Sequence, residues 1–356
     1  MRLSNNQQAF LALVRAGLWE KEVRLSQFET IDFNEVYRLA EEQSVVGLVA
    51  AGLEHVVDMK PPKKDVLQFV GQTLQLEQRN TAMNYFIGVI IEKMRANDIR
   101  AILVKGQGVA QCYEKPLWRS SGDVDFLFGE SDYNKAKDFL LPLASGNKKD
   151  ERYSKHLGMN IDPWYVEIHG TMRTGLSGRV DKVVDDTVRD VLSGNKVRTW
   201  MNDDTQVFLP AADEDVILVF THFIKHFYKE GMNLRQVCDW CRLLWTYKDS
   251  VNRRYIESRI QKAGLLSEWK AFASLAVTHL GMPEAVMPMY EADKKWAEKA
   301  QRIVRFILCD YKHKIVADTY TTSKIFPSNT MRFLPSILFK VNWLKIKERI
   351  LAHDNN

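Results

Sequence analysis

Cysteine is scarce in this chain. Its four residues, Cys112, Cys238, Cys241 and Cys309, are too few and too scattered for a disulfide framework, which fits a reducing compartment. The "CDWC" segment has the spacing of a redox motif, but it sits inside the helical-looking "NLRQVCDWCRLLW" with no strand before it, so it reads as buried thiols. No second pair exists to complete a zinc site. Uncharged apolar runs of the roughly 20 residues that a bilayer demands are also missing, so no membrane span is expected. The opening "MRLSNNQQAFLALVRAGLWEKE" lacks a basic stretch followed by an unbroken apolar core, so no signal peptide is expected and the expected compartment is the cytoplasm. Internal repeats, low-complexity tracts and basic tracts are absent. The net charge of +5 is mild for 356 residues; it permits a nucleic-acid partner but disfavours a long one. Aromatic residues fall at core-like spacing in the helical regions, which gives no base-stacking platform.

What remains is an ordinary folded composition, 46% hydrophobic and 27% charged, with room for two or three domains. From Ser4, a candidate N-cap, to about residue 98, apolar residues recur at three and four, and "KPPKK" interrupts the pattern before a long helix ending near "RAND". The period changes at "IRAILVKG", a short branched run stopped by glycine, as a buried strand would be. "QGVAQCYEKP" reads as a helix closed by Pro116, "DVDFLF" as a second strand, and "SDYNKAKDFLLPL" as a helix capped by Ser131. "ERYSKHLGMNI" and "WYVEIHG" follow as strands separated by a turn at Asp162-Pro163. Beyond Pro210 the helical period returns, beginning with "ADEDVILVFTHFIKHFYKEG", whose acids suit the first turn of a helix. This gives a helical N-terminal domain over 1–98, a core with strands over 99–210 and a helical C-terminal domain over 211–356.

Within "RSSGDVDFLF", alternate side chains share a face, so Asp123 and Asp125 point one way while Val124, Phe126 and Phe128 enter the opposite layer. Burying two carboxylates on one strand is costly unless a cation compensates them. Oxygen ligands of this kind suit Mg2+ or Mn2+. In "WYVEIHG" the same alternation puts Tyr165, Glu167 and His169 on one face. If the two strands are neighbours, Glu167 is a third carboxylate, and three acids can hold two cations roughly 3.5–4 Å apart. "VKGQG" at the preceding strand-to-helix junction can cradle a phosphate, with Gly106, Gln107 and Gly108 admitting an anion to the backbone and Lys105 adding charge. Arg119 can reach a phosphate or clamp an acid. His222 and His226 stand one helical turn apart, but the intervening "FIK" lacks the glutamate of a metalloprotease helix. Their helix is expected to cross the cleft and bring His222, Lys225 and His226 near the nucleotide or its acceptor, with Arg235 and Asp239 on the next helix as further candidates. "MRFLPSILFKVNWLKIKERIL" reads as a packed terminal helix, with an anionic membrane surface as the alternative.

"LVKGQGVAQCYEKPLWRSSGDVDFLF", followed about forty residues later by "VEIHG" and then by "HFIKHF", resembles the uncharacterised nucleotidyltransferase family of the DNA polymerase β-like superfamily. The resemblance covers roughly residues 80 to 250. It implies an α+β fold, with a small mixed sheet forming the nucleotidyltransferase core between helical flanks. It also implies Asp123, Asp125 and Glu167 as the metal-binding and catalytic acids, and the Gly106 region as the triphosphate loop. The implied reaction moves a nucleoside monophosphate from a nucleoside triphosphate to an acceptor hydroxyl, which a small molecule, sugar, protein or RNA end would supply. The rival reading is a non-catalytic nucleotide sensor or structural partner that retains the fold.

Overall fold

The computed structural model describes residues 3–59, 61–151, 155–309 and 322–333. Ser4 caps α1 (Asn5–Trp19) in a reciprocal capping box with Gln7. Helices α2 (Phe33–Glu42) and α3 (Val46–Leu53) follow. α1 and α3 cross at near-backbone contact: a Cβ on Gly17 would lie 2.1 Å from the Leu48 carbonyl oxygen, and one on Gly52 would lie 2.0 Å from that of Leu13. Only glycine fits at these two positions. The long helix α4 (Lys63–Arg95) links two layers: Phe69 joins the helical core, whereas Met83, Ile87, Ile90, Ile91 and Met94 cover the sheet.

The sheet has five strands in the order β1-β2-β5-β4-β3, namely β1 (Ile102–Val104), β2 (Asp123–Leu127), β3 (Ser145–Glu151), β4 (His156–Ile161) and β5 (Trp164–His169). β2 and β5 run parallel and every other neighbouring pair is antiparallel, so the sheet is mixed. Between β1 and β2 lies the short α5 (Gly106–Ala110), and α6 (Glu130–Leu140) follows β2. Gly129 rather than Ser131 occupies the cap position of α6; Ser131 falls within its first turn. One face of the sheet buries Val124, Phe126, Phe128, Met159, Val166 and Ile168 against α4 and α6. The opposite face carries the acids.

After β5 come α7 (Gly178–Leu192) and the hairpin of β6 (Val197–Asn202) and β7 (Thr205–Pro210), whose Val207 and Leu209 extend the sheet's apolar layer. Neither was foreseen from sequence. The buried face of α7 is built from Val180, Val183, Val184, Val188 and Val191. β-branched side chains weaken the local helical signal and leave tertiary packing to decide.

The C-terminal helices are α8 (Ala212–Lys229), α9 (Leu234–Thr246), α10 (Arg253–Ala263), α11 (Leu266–Thr278), α12 (Lys294–Cys309) and α13 (Pro327–Phe333). As expected, α8 carries Asp213, Glu214 and Asp215 in its first turn. Its Phe220 and Phe223 meet Trp240, Trp269 and Phe272 in edge-on and tilted ring contacts. The N- and C-terminal helices share one apolar core, tied by Trp19 Nε1 donating to the Leu280 carbonyl at 2.5 Å and by Gln43 Nε2 donating to that of Ile307 at 2.9 Å. Cys238 and Cys241 are buried and unbridged in α9, as the helical reading of "CDWC" implies. The molecule is thus α+β, mostly helical around a small mixed sheet. No described helix is long and apolar enough to cross a membrane. Most of the C-terminal "MRFLPSILFKVNWLKIKERIL" lies outside the described residues.

Candidate active site

The parallel pairing of β2 with β5 sets Asp123 beside Tyr165 and Asp125 beside Glu167. Strand alternation then turns Asp123, Asp125 and Glu167 to the same face, where their ligand oxygens lie within 4.8 Å of one another. The three acids converge, as expected if the two strands are neighbours.

Lys105 directly follows β1 and stands across from them. Its φ of 58° and ψ of −146° fall in backbone space nearly reserved for glycine, which costs on the order of 1–3 kcal/mol. Gly106 follows at φ 40°. From this bend the Lys105 ammonium donates to Asp125 Oδ1 at 2.7 Å, and His169 Nε2 meets the same oxygen at 2.8 Å. Glu167 Oε2 lies 3.2 Å from Nε2 of His156 and 3.5 Å from Nε2 of His169.

The charges divide the three acids. Burial would raise the pKa of Asp125, but Lys105 and His169 hold it below the usual carboxylate range. Glu167 is likewise held below the usual carboxylate range: burial opposes this, and hydrogen bonds with His156 and His169 overcome it. Asp123 goes the other way, pushed up first by the charge of Asp125 and then by burial. Burial likewise disfavours the Lys105 cation, yet Asp125, Asp123 and Glu167 keep its pKa above the ordinary lysine value. Three carboxylates thus face one buried ammonium and one imidazole, His169, whose pKa Asp125 and Glu167 raise against the effect of burial, and the acids outnumber these two partners. An oxygen-only donor set with that surplus fits a hard divalent cation.

The acids floor a cleft of about 720 Å³, whose other walls come from α8, α9 and the segments at 171–174 and 230–233. His222, Lys225 and His226 line it, as do Arg173, Lys229, Arg235 and Asp239. Lys225 pairs with Glu230 at 3.0 Å. Glu230 also accepts from Nδ1 of His226 at 3.1 Å, and Nε2 of His226 lies 3.1 Å from Nε2 of His222. Burial holds both imidazoles below the usual histidine pKa. With both neutral, the Glu230 contact leaves His226 Nε2 as acceptor, so His222 donates through Nε2 and keeps the lone pair of Nδ1.

The remaining candidates divide between cleft and core. Gly106 lines the cleft, whereas Gln107 and Gly108 do not. The Gln107 amide is buried and donates to Asn80 Oδ1 at 2.8 Å and to Ser121 Oγ at 3.3 Å. A Cβ on Gly108 would come within 2.8 Å of Leu209, so this glycine serves close packing on the hairpin. Arg119 borders the cleft, but its Nε and Nη2 both bond the Asp239 carboxylate, at 2.8 and 2.7 Å. That pair is buried on both sides, with side chains 5% and 8% exposed.

A scan against family models matches residues 29–281 to the family described as uncharacterised nucleotidyltransferase. The chain belongs to this family. No curated protein and no solved structure matches it. The match spans the helices that roof the cleft as well as the sheet beneath it.

His156, Arg173 and Lys229 went unrecognised in the sequence. His156 had a usable signal: folding the strands about the turn at Asp162-Pro163 pairs Ile161 with Trp164 and, five residues out, His156 with His169. Arg173 and Lys229 reach the cleft from a loop and from the end of α8, where no periodicity marks them.

Proposed function

We propose that this protein is a metal-dependent nucleotidyltransferase that transfers a nucleoside monophosphate from a nucleoside triphosphate to an acceptor hydroxyl. The observation that carries the reading is the convergence of Asp123, Asp125 and Glu167 on one face of β2 and β5, at the floor of a cleft with cationic walls. In the reaction, the acceptor oxygen forms a bond to the α-phosphorus, the bond from that phosphorus to the bridging oxygen breaks, and pyrophosphate leaves.

Asp123, Asp125 and Glu167 would hold Mg2+ or Mn2+, which when bound neutralises phosphate charge and lowers the pKa of a coordinated hydroxyl. The chain's own groups supply position and countercharge. Lys105, fixed on Asp125, sets one buried positive charge at the floor of the cleft. Gly106 presents backbone there, while Lys225, Lys229, Arg173 and Arg235 give the opposite walls affinity for a polyphosphate. Arg119 acts at one remove by holding Asp239 and the start of β2. His222, held through His226 by Glu230, stays neutral and offers a hydrogen-bond acceptor on the wall of the cleft. The acceptor class stays open among a small molecule, a sugar, a protein side chain and an RNA end.

The test is a thermal-shift panel of the four nucleoside triphosphates with Mg2+ or Mn2+, read beside pyrophosphate release. Metal-dependent stabilisation with pyrophosphate release that Asp123→Asn abolishes is the expected result. Stabilisation by triphosphate without pyrophosphate release would identify a nucleotide sensor instead. Full activity in Asp123→Asn would refute the assignment.

A further inference from the structure

Beside the all-oxygen site lies a second group of potential ligands with different chemistry. His156, Glu167 and His169 offer two imidazole nitrogens and one carboxylate oxygen, all within 4.8 Å of one another. Their placement follows from the sheet. His156 and His169 are directly opposed in the antiparallel β4–β5 pair, and Glu167 lies two residues from His169 on the same face. The two rings stack with centroids 4.8 Å apart and planes 21° apart, and both Nε2 atoms approach the same Glu167 oxygen. The three side chains are 20%, 20% and 10% exposed for His156, Glu167 and His169, deep enough to hold their geometry and open enough for an ion to enter.

From this donor set we infer a second metal position, made by His156, Glu167 and His169, that selects a borderline dication such as Zn2+ or Co2+ over Mg2+. Imidazole is a good ligand for zinc and cobalt, and two histidines with one glutamate leave coordination positions open for substrate or water. Mg2+ prefers oxygen and gives up water reluctantly, so it belongs with Asp123 and Asp125. Glu167 is common to both groups and would bridge them. The cleft would then carry an asymmetric pair of cations: one position built from oxygen alone, the other from nitrogen and oxygen. Nε2 of His169 lies 2.8 Å from Asp125 Oδ1 and 3.5 Å from Glu167 Oε2, at the junction of the two groups. This inference deepens the nucleotidyltransferase reading and rests on it for the bridging role of Glu167, but the ligand set itself is independent of turnover.

The test uses the full-length, tag-free chain titrated with Co2+ alone, because the visible absorption of Co2+ reports nitrogen ligation directly. One Co2+ per chain should bind with an imidazole-type spectrum that a large excess of Mg2+ does not remove. His156→Ala, and separately His156→Gln, should weaken Co2+ at least about tenfold and change the spectrum. Asp123→Asn should leave that spectrum in place. Circular dichroism melting without metal separates ligand loss from misfolding, and His156 suits substitution because it stands at the start of β4. Co2+ affinity unchanged in both His156 variants would overturn the inference, as would a spectrum lost in Asp123→Asn but kept in them. If Asp123→Asn abolishes pyrophosphate release while the His156 variants bind Co2+ normally, nucleotidyl transfer stands and the second metal position falls. If the Co2+ site behaves as expected and no triphosphate yields pyrophosphate, the metal position stands and the enzymatic reading falls.

Discussion

The two faces of β2 are made by adjacent residues and obey opposite rules. Val124 and Phe126 are at most 1% exposed and belong to an apolar cluster with side chains of α4, α6 and β5. Asp123 and Asp125, one residue away on either side of Val124, face a cleft that contains Lys105, His169 and the basic residues of α8 and α9. The apolar face fixes the strand, and that rigidity lets the other face hold like charges close together. A site of mutually repelling carboxylates is unfavourable on its own terms. It persists because the opposite face packs well enough to offset it.

Substitutions that harm one face and spare the other test this division most directly. Under the proposed function, Asp123→Asn should lower pyrophosphate release by roughly a thousandfold or more, since losing a metal ligand would remove several kcal/mol of charge stabilisation. The same variant should unfold at an equal or higher temperature than the parent, because it relieves repulsion with Asp125. A large loss of stability in Asp123→Asn would show that the acid supports the strand after all. Phe126→Ala should do the reverse. It should cost about 3–5 kcal/mol in denaturant unfolding, the usual loss for a buried phenylalanine, while each folded molecule keeps its metal-dependent nucleotide stabilisation.

The segment from Lys105 to Gly108 repeats the contrast within four residues. Lys105 and Gly106 face the cleft, whereas Gln107 and Gly108 face the core. Gln107→Ala would leave the buried Asn80 Oδ1 without its donor, an expected loss of about 1–3 kcal/mol. Triphosphate-induced thermal shifts should be unchanged in this variant and strongly reduced in Lys105→Met. Equal loss of nucleotide response in both would place Gln107 in the binding loop.

That division also marks what could be read from residues alone. Alternation with period two is a strong signal when acids alternate with Val and Phe, so the orientation of Asp123, Asp125 and Glu167 followed from "DVDFLF" and "VEIH". The N-cap at Ser4 and the acidic start of α8 were readable for a similar reason, since each is settled within a turn of chain. The role of "VKGQG" was less legible. Glycine permits both a phosphate approach and a tight packing contact, and only the position of Leu209, about a hundred residues later, separates these for Gly108. The ion pair of Arg119 with Asp239 depends on how α9 docks, and that is decided by the core shared between the N- and C-terminal helices. His156 lay between, since strand register encodes its position opposite His169 but only after the hairpin turn is located.

A carboxylate outside the cleft provides the smallest and cleanest contrast with Asp123, whose pKa a neighbouring acid raises. Asp58 is fully exposed, yet its pKa falls to about 2 because the Ser26 hydroxyl and the backbone amides of Leu25 and Ser26 donate to it. No opposing charge is needed. The folded state therefore binds this proton less readily than the unfolded chain, whose aspartate titrates near 3.9. The Asp58 contribution to stability is fully present above that value and is lost as pH falls through the range down to about 2. Asp58→Asn removes the titration while keeping an acceptor for the same donors. Urea midpoints measured from pH 6 down to 2 should differ between parent and variant by a constant amount at the upper end. The difference should change only below about pH 4, where the parent loses its extra stability. A difference independent of pH across the whole range would show that the hydrogen bonds to Asp58 do not favour its charged form, and that hydrogen bonding without a neighbouring charge does not set carboxylate pKa values in this fold.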